Sequence, residues 1–295
     1  MNSSIKKILA CAAAIIGAYA AVMCVLAKIQ RKNDIFLNDP DEQNPMYKKK
    51  VVFVEDDNDP VNADGKKGHL ETIGEKEYHQ TVYEKYIKRM IDVVLCFFGV
   101  LVCSPIYLVT AIAIKLDSPG PVIFKQKRIA KDLGWFSLWK FRTYAKASDI
   151  PTHMMGNKAE SGITRVGAFL RKHSIDETIQ FAQCLLTPHI SLIGPRPALW
   201  NQDYLVAERD KYDANEVKPG ITGLAQINGR DELEIEEKAR LDGEYVRRLR
   251  KSSWSGFTQD VEIFVKTIMS VVKSDGVVEG GTGVLNKKTD NKSEC

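Results

Sequence analysis

The feature that most constrains this chain is a 24-residue run, Ile91 to Ile114, dominated by apolar side chains. At about 1.5 Å of rise per residue, such a run is long enough to cross the hydrocarbon core of a bilayer as one helix. Two details oppose a simple crossing. Ser104-Pro105 stands near its middle. Proline lacks the N–H that would bond the carbonyl four residues earlier, so a kink or break is expected there. Basic residues also flank both ends: Lys85, Lys88 and Arg89 before the run, Lys115, Lys125, Lys127, Arg128 and Lys131 after it. Positive charge marks the cytoplasmic side of a membrane segment, so both ends are read as facing the same side. The pattern predicts a re-entrant, broken helix over 86–115 that dips into the membrane and returns. The Ser104 hydroxyl is placed to serve a backbone group freed at the break.

A second apolar stretch, Ile8 to Ala27, has the length of a membrane span and exceeds a typical signal-peptide core. Lys28, Arg31 and Lys32 follow it, which predicts an uncleaved N-terminal transmembrane anchor over 1–28 with its short N-terminus outside. Residues 29–84 are polar and read as a cytoplasmic linker or small subregion, with one strand-like run at Val51-Val52-Phe53-Val54. From Asp117 the chain turns to short strands, around Val122–Phe124 and Phe136–Trp139, and amphipathic helices, the longest over Glu232 to Arg250. The expected fold class is mainly α with short β-strands, α+β. A catalytic body occupies 85–285, and a polar tail occupies 286–295. Lys and Arg number 42 against 38 Asp and Glu, a balance that does not suit nucleic acid. Six cysteines without a Cys-x-x-Cys pair, and five histidines without His-x-x-x-His spacing, exclude a zinc ribbon and a redox motif.

Three clusters carry chemistry. Arg171-Lys172-His173-Ser174-Ile175-Asp176-Glu177 contains Ser174-x-x-Glu177, a capping box that ordinarily opens a helix. A helix N-terminus is also where a diphosphate would sit, with Arg171 and Lys172 adding cationic donors. Asp176 would then be a carboxylate among phosphate-binding groups, able to attack phosphorus and form an acyl phosphate. Adjacent carboxylates suit magnesium. In Gly194-Pro195-Arg196-Pro197, two prolines fix the backbone around an arginine suited to a phosphate fork. The loop Pro219 to Arg230 carries Gly220, Gly223 and Gly229, which would let backbone approach a ligand closely.

These clusters stand in order with Lys88-Arg89, Lys125-Gln126-Lys127-Arg128 and Trp139-Lys140-Phe141-Arg142-Thr143. Over about residues 85 to 284 the whole resembles the bacterial sugar transferases that initiate polysaccharide and glycoprotein glycan assembly, the monotopic phosphoglycosyl transferases. The resemblance implies that Asp176 takes a phospho-sugar from a UDP-sugar and releases UMP. It implies that Glu177 assists in metal and acid–base work, with Mg2+ as cofactor. Undecaprenyl phosphate then attacks the aspartyl intermediate to give undecaprenyl-diphospho-sugar. Arg171 matches the family's phosphate-binding arginine. Arg196, Arg230, Lys140 and Arg142 fall in motifs assigned to substrate binding. The enzyme is expected in the bacterial plasma membrane, against lipid, with its catalytic body facing the cytoplasm, and a homo-oligomer is compatible with the pattern. Leu224 and Ala130 stand where the family often has Trp and Gly, and Pro188-His189-Ile190 precede Ser191.

Two other readings compete with this one. Asp57-Asn58-Asp59 after a hydrophobic strand resembles the metal site of a glycosyltransferase that would release UDP. Its plainer reading is a solvated acidic turn. A non-catalytic membrane scaffold is opposed by the intact Asp176-Glu177 pair and both arginine loops.

Overall fold

The computed structural model describes residues 44–77, 80–145, 162–229 and 233–273. The anchor expected at 1–28 and the tail at 286–295 lie outside them. Two strands, β1 (Lys49–Val54) and β2 (His69–Glu75), precede the long helix α1 (Lys88–Asp117). Then come β3 (Ile123–Ile129), β4 (Trp135–Phe141), α2 (Arg165–Lys172), a 3-10 turn at Ile175–Glu177, and α3 (Gln180–Leu186). The chain continues through β5 (Ser191–Ile193), α4 (Asp203–Asp210), β6 (Gly220–Thr222), α5 (Leu224–Ile227), α6 (Ile235–Lys251) and α7 (Ser253–Lys273). The strands form three separate two-stranded sheets, β1–β2, β3–β4 and β5–β6. Mixed helix with short strands is as the sequence predicts, and both strand-like runs after Asp117 fall in the antiparallel pair β3–β4.

α1 is helical without interruption through Pro105, where a break was expected. The local chemistry accounts for this. Pro105 leaves the Leu101 carbonyl without its usual N–H partner, and the Ser104 hydroxyl donates to that same carbonyl at 2.8 Å. The buried positions of α1 are Lys88, Asp92, Cys96, Val100, Thr110 and Ile114. With the partly buried Cys103 and Tyr107 they form one stripe at spacings of three and four residues, the mark of a helix lying along a surface. Its other face exposes Met90, Val94, Phe98, Val102, Leu108 and Leu116.

Buried polar groups fix the start of α1. Lys88 Nζ donates to Asp260 Oδ2 of α7 at 2.6 Å, and the Tyr83 hydroxyl donates to the same oxygen at 2.7 Å. The Tyr245 hydroxyl donates to Asp260 Oδ1 at 3.0 Å. Asp92 accepts from the Ser191 hydroxyl at 2.7 Å and from the Leu192 N–H at 3.1 Å, which ties α1 to β5. Around these groups Cys96, Phe136, Leu138, Ile190, Leu249 and Ile263 make the main core. The far end of α1 is held by Arg142. Its guanidinium donates to the Ser118 carbonyl at 2.7 Å, the Ser118 hydroxyl at 2.9 Å and the Pro119 carbonyl at 2.6 Å.

The strand-like run at Val51–Val54 lies in β1, paired antiparallel with β2. This hairpin docks on α4 through Asp210, which accepts from the Val51 N–H at 2.8 Å and pairs with Lys76. Residues 44–75 are therefore folded onto the body, with Val51, Leu205 and Val206 in a second small core. Ala130 sits in extended backbone at φ −94°, so no glycine is required there, and Leu224 is buried.

β5 and β6 run parallel and cross unusually closely. A Cβ on Gly220 would lie 2.1 Å from Gly194 N, and one on Gly223 would lie 2.1 Å from Gly194 O. These glycines make room for contact between two backbones. Gly220→Ala should therefore destabilise the protein by about 1–3 kcal/mol through overpacking. A lowered thermal unfolding midpoint of the detergent-solubilised protein is the expected result, and an unchanged midpoint would contradict the packing role.

Candidate active site

The expected capping box is not formed. Ser174 has φ +52°, in the left-handed region, and its side chain makes no capping hydrogen bond. The cap is made earlier, by Thr164, whose hydroxyl accepts from the Gly167 N–H at 2.9 Å to open α2. Arg171 and Lys172 thus lie in the last turn of α2, where cations complement the negative dipole end. His173 and Ser174 reverse the chain, and Asp176 and Glu177 follow on the three-residue 3-10 turn. No long helix N-terminus faces them as the sequence proposed.

The turn is braced from both sides. Thr178 Oγ1 donates to the Ile175 carbonyl at 2.7 Å. The Tyr107 hydroxyl, from α1, donates to the Thr178 carbonyl at 2.7 Å. Asp176 is only 4% exposed. Glu177 is gripped by two cations from different elements. Lys140 Nζ of β4 lies 2.7 Å from Glu177 Oε1. Arg196 Nη2 lies 2.8 Å from the same oxygen, with Nη1 3.4 Å from Oε2. Burial, the largest single influence, works to raise the Glu177 carboxyl. The charges of Arg196 and Lys140, with their hydrogen bonds, overcome it and hold the carboxyl well below the ordinary glutamate range.

The two cations are themselves positioned. Gln183 of α3 accepts from the Trp139 N–H at 2.9 Å, which sets β4 beside the turn. The Arg196 loop is pinned on either side of the arginine: the Pro195 carbonyl accepts from the Gly220 N–H at 2.8 Å, and the Pro197 carbonyl accepts from Arg128 Nη1 at 2.9 Å. This is the rigid presentation that two prolines predict.

Of the residues selected from sequence, Lys140, Glu177 and Arg196 meet, with Asp176 beside them on the turn. Arg171 donates to the Tyr144 hydroxyl at 2.6 Å, its guanidinium 5.5 Å from that ring's centroid. Arg142 does not join the cluster, because its hydrogen bonds staple the end of α1. Arg230 lies outside the described residues. Sequence reasoning missed Tyr107, Tyr144 and Gln183. The first had a signal, a lone hydroxyl-bearing ring within the apolar run. Asp57-Asn58-Asp59 proves to be part of an acidic turn: Asp56 Oδ1 accepts from the Asn58 N–H at 2.8 Å, and Asp59 pairs with His69 Nδ1 at 2.6 Å. Asp56, Asp59 and His69 bring ligand atoms within 4.8 Å of one another, a group that does not include the Asp176-Glu177 pair.

A family model described as bacterial sugar transferase matches residues 83–274. The chain is 37% identical over 191 residues to the UDP-glucose:undecaprenyl-phosphate glucose-1-phosphate transferase of Escherichia coli (strain K12), covering 62% of this chain and 40% of that protein. It is 38% identical over 192 residues to the uncharacterized sugar transferase EpsL of Bacillus subtilis (strain 168), covering 65% of this chain and 90% of that one. It is 34% identical over 199 residues to the UDP-N-acetylgalactosamine-undecaprenyl-phosphate N-acetylgalactosaminephosphotransferase of Aeromonas hydrophila, covering 65% and 45%. The chain therefore spans less than half of the first and third of these proteins and most of the second. The family match takes in α1, the β3–β4 pair and the Asp176-Glu177 turn.

The grip on Glu177 has a pH signature. Its carboxyl is lowered by folding, so the stability it contributes is present above the unfolded value of 4.5 and is lost as pH falls below it. The stability difference between the unaltered protein and Glu177→Gln should be constant from neutral pH to about 4.5 and shrink at lower pH. In a Lys140→Met background that difference should be smaller at neutral pH and should finish shrinking at a higher pH, because the folded carboxyl is then held less far below 4.5. Denaturant titrations across the range measure both, and a pH-independent difference would show that the grip is absent in solution.

Proposed function

Because this chain belongs to the bacterial sugar transferase family, we propose that it transfers a sugar-1-phosphate from a UDP-sugar to undecaprenyl phosphate. UMP leaves, and the phospho-sugar is held in transit on Asp176. The observation that carries this reading is the convergence of Lys140 and Arg196 on Glu177, beside the buried Asp176. Cations converging on one turn suit a diphosphate, and a rigid arginine suits its oxygens. The printed names of the E. coli and A. hydrophila relatives supply the substrate classes.

The steps balance as follows. An Asp176 carboxylate oxygen attacks the phosphorus bearing the sugar. The bond from that phosphorus to the bridging oxygen breaks, and UMP leaves with the electron pair. A phosphate oxygen of the polyprenyl carrier then attacks the same phosphorus, and the Asp176 carboxylate is released. Lys140 and Arg196 are the groups available to take up negative charge on the phosphates as substrate replaces Glu177 at their N–H donors. Arg171, one turn before the pair, and Arg230 are assigned to phosphate and nucleotide contacts.

Magnesium fits the turn on one structural count. A carboxylate offers about four lone-pair sites, and the three N–H contacts made to Glu177 leave it able to ligate a cation. Asp176 and Glu177 would hold the ion, which would neutralise substrate charge that repels an anionic nucleophile.

α1 is assigned to the membrane as a segment that enters and does not cross. Its run is long and apolar enough to span, with mean hydropathy 2.4 over the best window. Against a crossing stands the stripe of contacts that keeps it on the body from Lys88 to Ser118. The product would start a polysaccharide or glycoconjugate on the cytoplasmic face. The glycosyltransferase alternative is disfavoured by the commitment of Asp59 to His69.

Purified protein with magnesium, undecaprenyl phosphate and a panel of UDP-sugars should release UMP. Release of UDP would instead establish cleavage at the anomeric carbon. Asp176→Asn should lower turnover at least about a hundredfold, since the amide is a far poorer nucleophile, and mass spectrometry should find the trapped phospho-sugar on Asp176. Chelation by EDTA should stop UMP release while circular dichroism stays unchanged. Activity without divalent metal would remove the magnesium assignment. Single cysteines near Lys88 and near Ser118 should both be labelled from the cytoplasm alone, and labelling of the second from outside would show that α1 crosses.

A further inference from the structure

An apolar groove of about 570 Å³ runs between the second half of α1 and α2. Ile106, Val109 and Ala113 line it from α1, Val166 and Phe169 from α2, and Ile175 from the 3-10 turn. Its volume is in the range of ligand-binding clefts. Three observations limit what can occupy it.

The first is where the groove leads. Ile175 is bonded directly to Asp176, so the groove reaches the turn that carries the proposed nucleophile. The second is where it opens. Ile106 and Val109 are also part of the exposed apolar face of α1, where Val109 is 66% exposed, continuous with Leu108 and Ile112. The groove thus joins the reacting turn to the surface that α1 offers to lipid. The third is its chemistry. Among the described residues its lining is aliphatic and aromatic apart from Thr110 and the charged Arg165. A nucleotide-sugar would leave its hydroxyls unpaired against such a wall, at a cost in desolvation. An acceptor with an anionic head and a long hydrocarbon tail has both requirements at once, a head at the turn and an apolar path out to the bilayer.

We propose that this groove receives the first isoprene units of the polyprenyl phosphate, and that Val109 and Phe169 recognise the carrier tail next to its phosphate. The inference rests on the transfer reaction proposed above. It adds that the acceptor is selected inside the protein, over the length from Pro105 to Ala113, about 12 Å of helix at 1.5 Å per residue. The rest of the tail stays in the lipid. Phe169 is 57% exposed and packs on His173 with the rings tilted at 39°, 4.3 Å between centroids. Neither Val109 nor Phe169 is in a core cluster, so substitution at either leaves the fold intact.

The test separates the two half-reactions. Exchange of labelled UMP into UDP-sugar needs only the first and no carrier. Val109→Trp, which fills the groove, and Phe169→Ala, which removes one wall, should each leave this exchange within about twofold of the unaltered protein. Each should raise KM for undecaprenyl phosphate about tenfold, the loss expected when one or two buried methylene contacts go. Farnesyl phosphate, with three isoprene units, should suffer the same rise, because the contact is at the head end of the tail. Dioleoyl phosphatidic acid should compete poorly with undecaprenyl phosphate in the unaltered protein. Unchanged carrier KM in both variants with normal exchange would overturn the proposal. So would a rise seen with undecaprenyl but not farnesyl phosphate, which would put the contact farther along the tail. Equal competition by phosphatidic acid would overturn it as well, since the groove would then be a general acyl-chain slot. Absence of UMP exchange in the unaltered protein would be a failure of the transfer reading itself.

Discussion

The attachment of α1 to the body is the constraint on which the other parts depend. A helix so apolar would leave water readily on its own, and its outer face gives it nowhere else to go. What prevents it from leaving the body is its inner stripe, where Asp92 and Lys88 reach buried partners on β5 and α7. Buried charges cost several kcal/mol each to desolvate and are tolerated when paired and hydrogen-bonded. Lys88 is paired with Asp260, whose carboxylate Tyr83 and Tyr245 complete, and Asp92 is hydrogen-bonded by Ser191 and Leu192. The pairs specify one docking of α1 that a purely apolar contact would leave free to slide.

That docking sets the reacting turn. Tyr107 of α1 bonds the Thr178 carbonyl, one residue after Glu177, so the height of the turn relative to the exposed apolar face of α1 is fixed by α1 itself. The turn is short, and three residues of 3-10 helix have little stability of their own. Their geometry comes from outside: Tyr107 on one side, Lys140 and Arg196 on the other. Opposite charges in a partly buried setting interact more strongly than in water, which is how Glu177 stays ionised despite burial. The arrangement is preorganised for an anion. In the proposed reaction a diphosphate entering the site would meet cations already aimed, and the exchange of one set of oxygens for another would need little rearrangement.

Much of this was legible in the sequence, and the parts that were not share a cause. The α1 run, the β3 and β4 strands and the rigid Arg196 loop announce themselves through local pattern: apolar length, strand-like runs, paired prolines. Asp176 and Glu177 stood out by type and setting, and Lys140 by the motif that carries it. The misreadings came where one local pattern supports two structures. Ser174-x-x-Glu177 has the letters of a capping box, but α2 had already been opened by Thr164, and the chain reaches Ser174 at the end of a helix. Gly220 and Gly223 have the letters of a ligand loop, but their missing side chains make room for Gly194. Arg142 sits in a motif with Lys140, yet two residues along the end of a strand its side chain meets the end of α1. Such outcomes are decided by which distant backbone arrives alongside, and local spacing holds no record of it. Pro105 is the reverse case: the proline predicts a break, and its neighbour Ser104 repairs the missing bond within the same turn.

The glycine crossing and the cation grip are linked. Arg196 can reach Glu177 only because its loop is held on both sides, by Gly220 at Pro195 and by Arg128 at Pro197. The Gly220 contact requires β5 and β6 to approach more closely than any side chain allows. β5 is in turn the strand that Asp92 of α1 caps through Ser191 and Leu192. A single line of contacts therefore runs from α1 through β5 to the arginine that grips Glu177, and a second runs through Tyr107 to the turn directly. Two independent ties from one helix fix both a position and an orientation. In the transfer proposed above, between a water-soluble donor and an acceptor confined to a membrane, the carboxylate of Asp176 would need a set depth and a set direction, and one tie alone would leave it free to pivot.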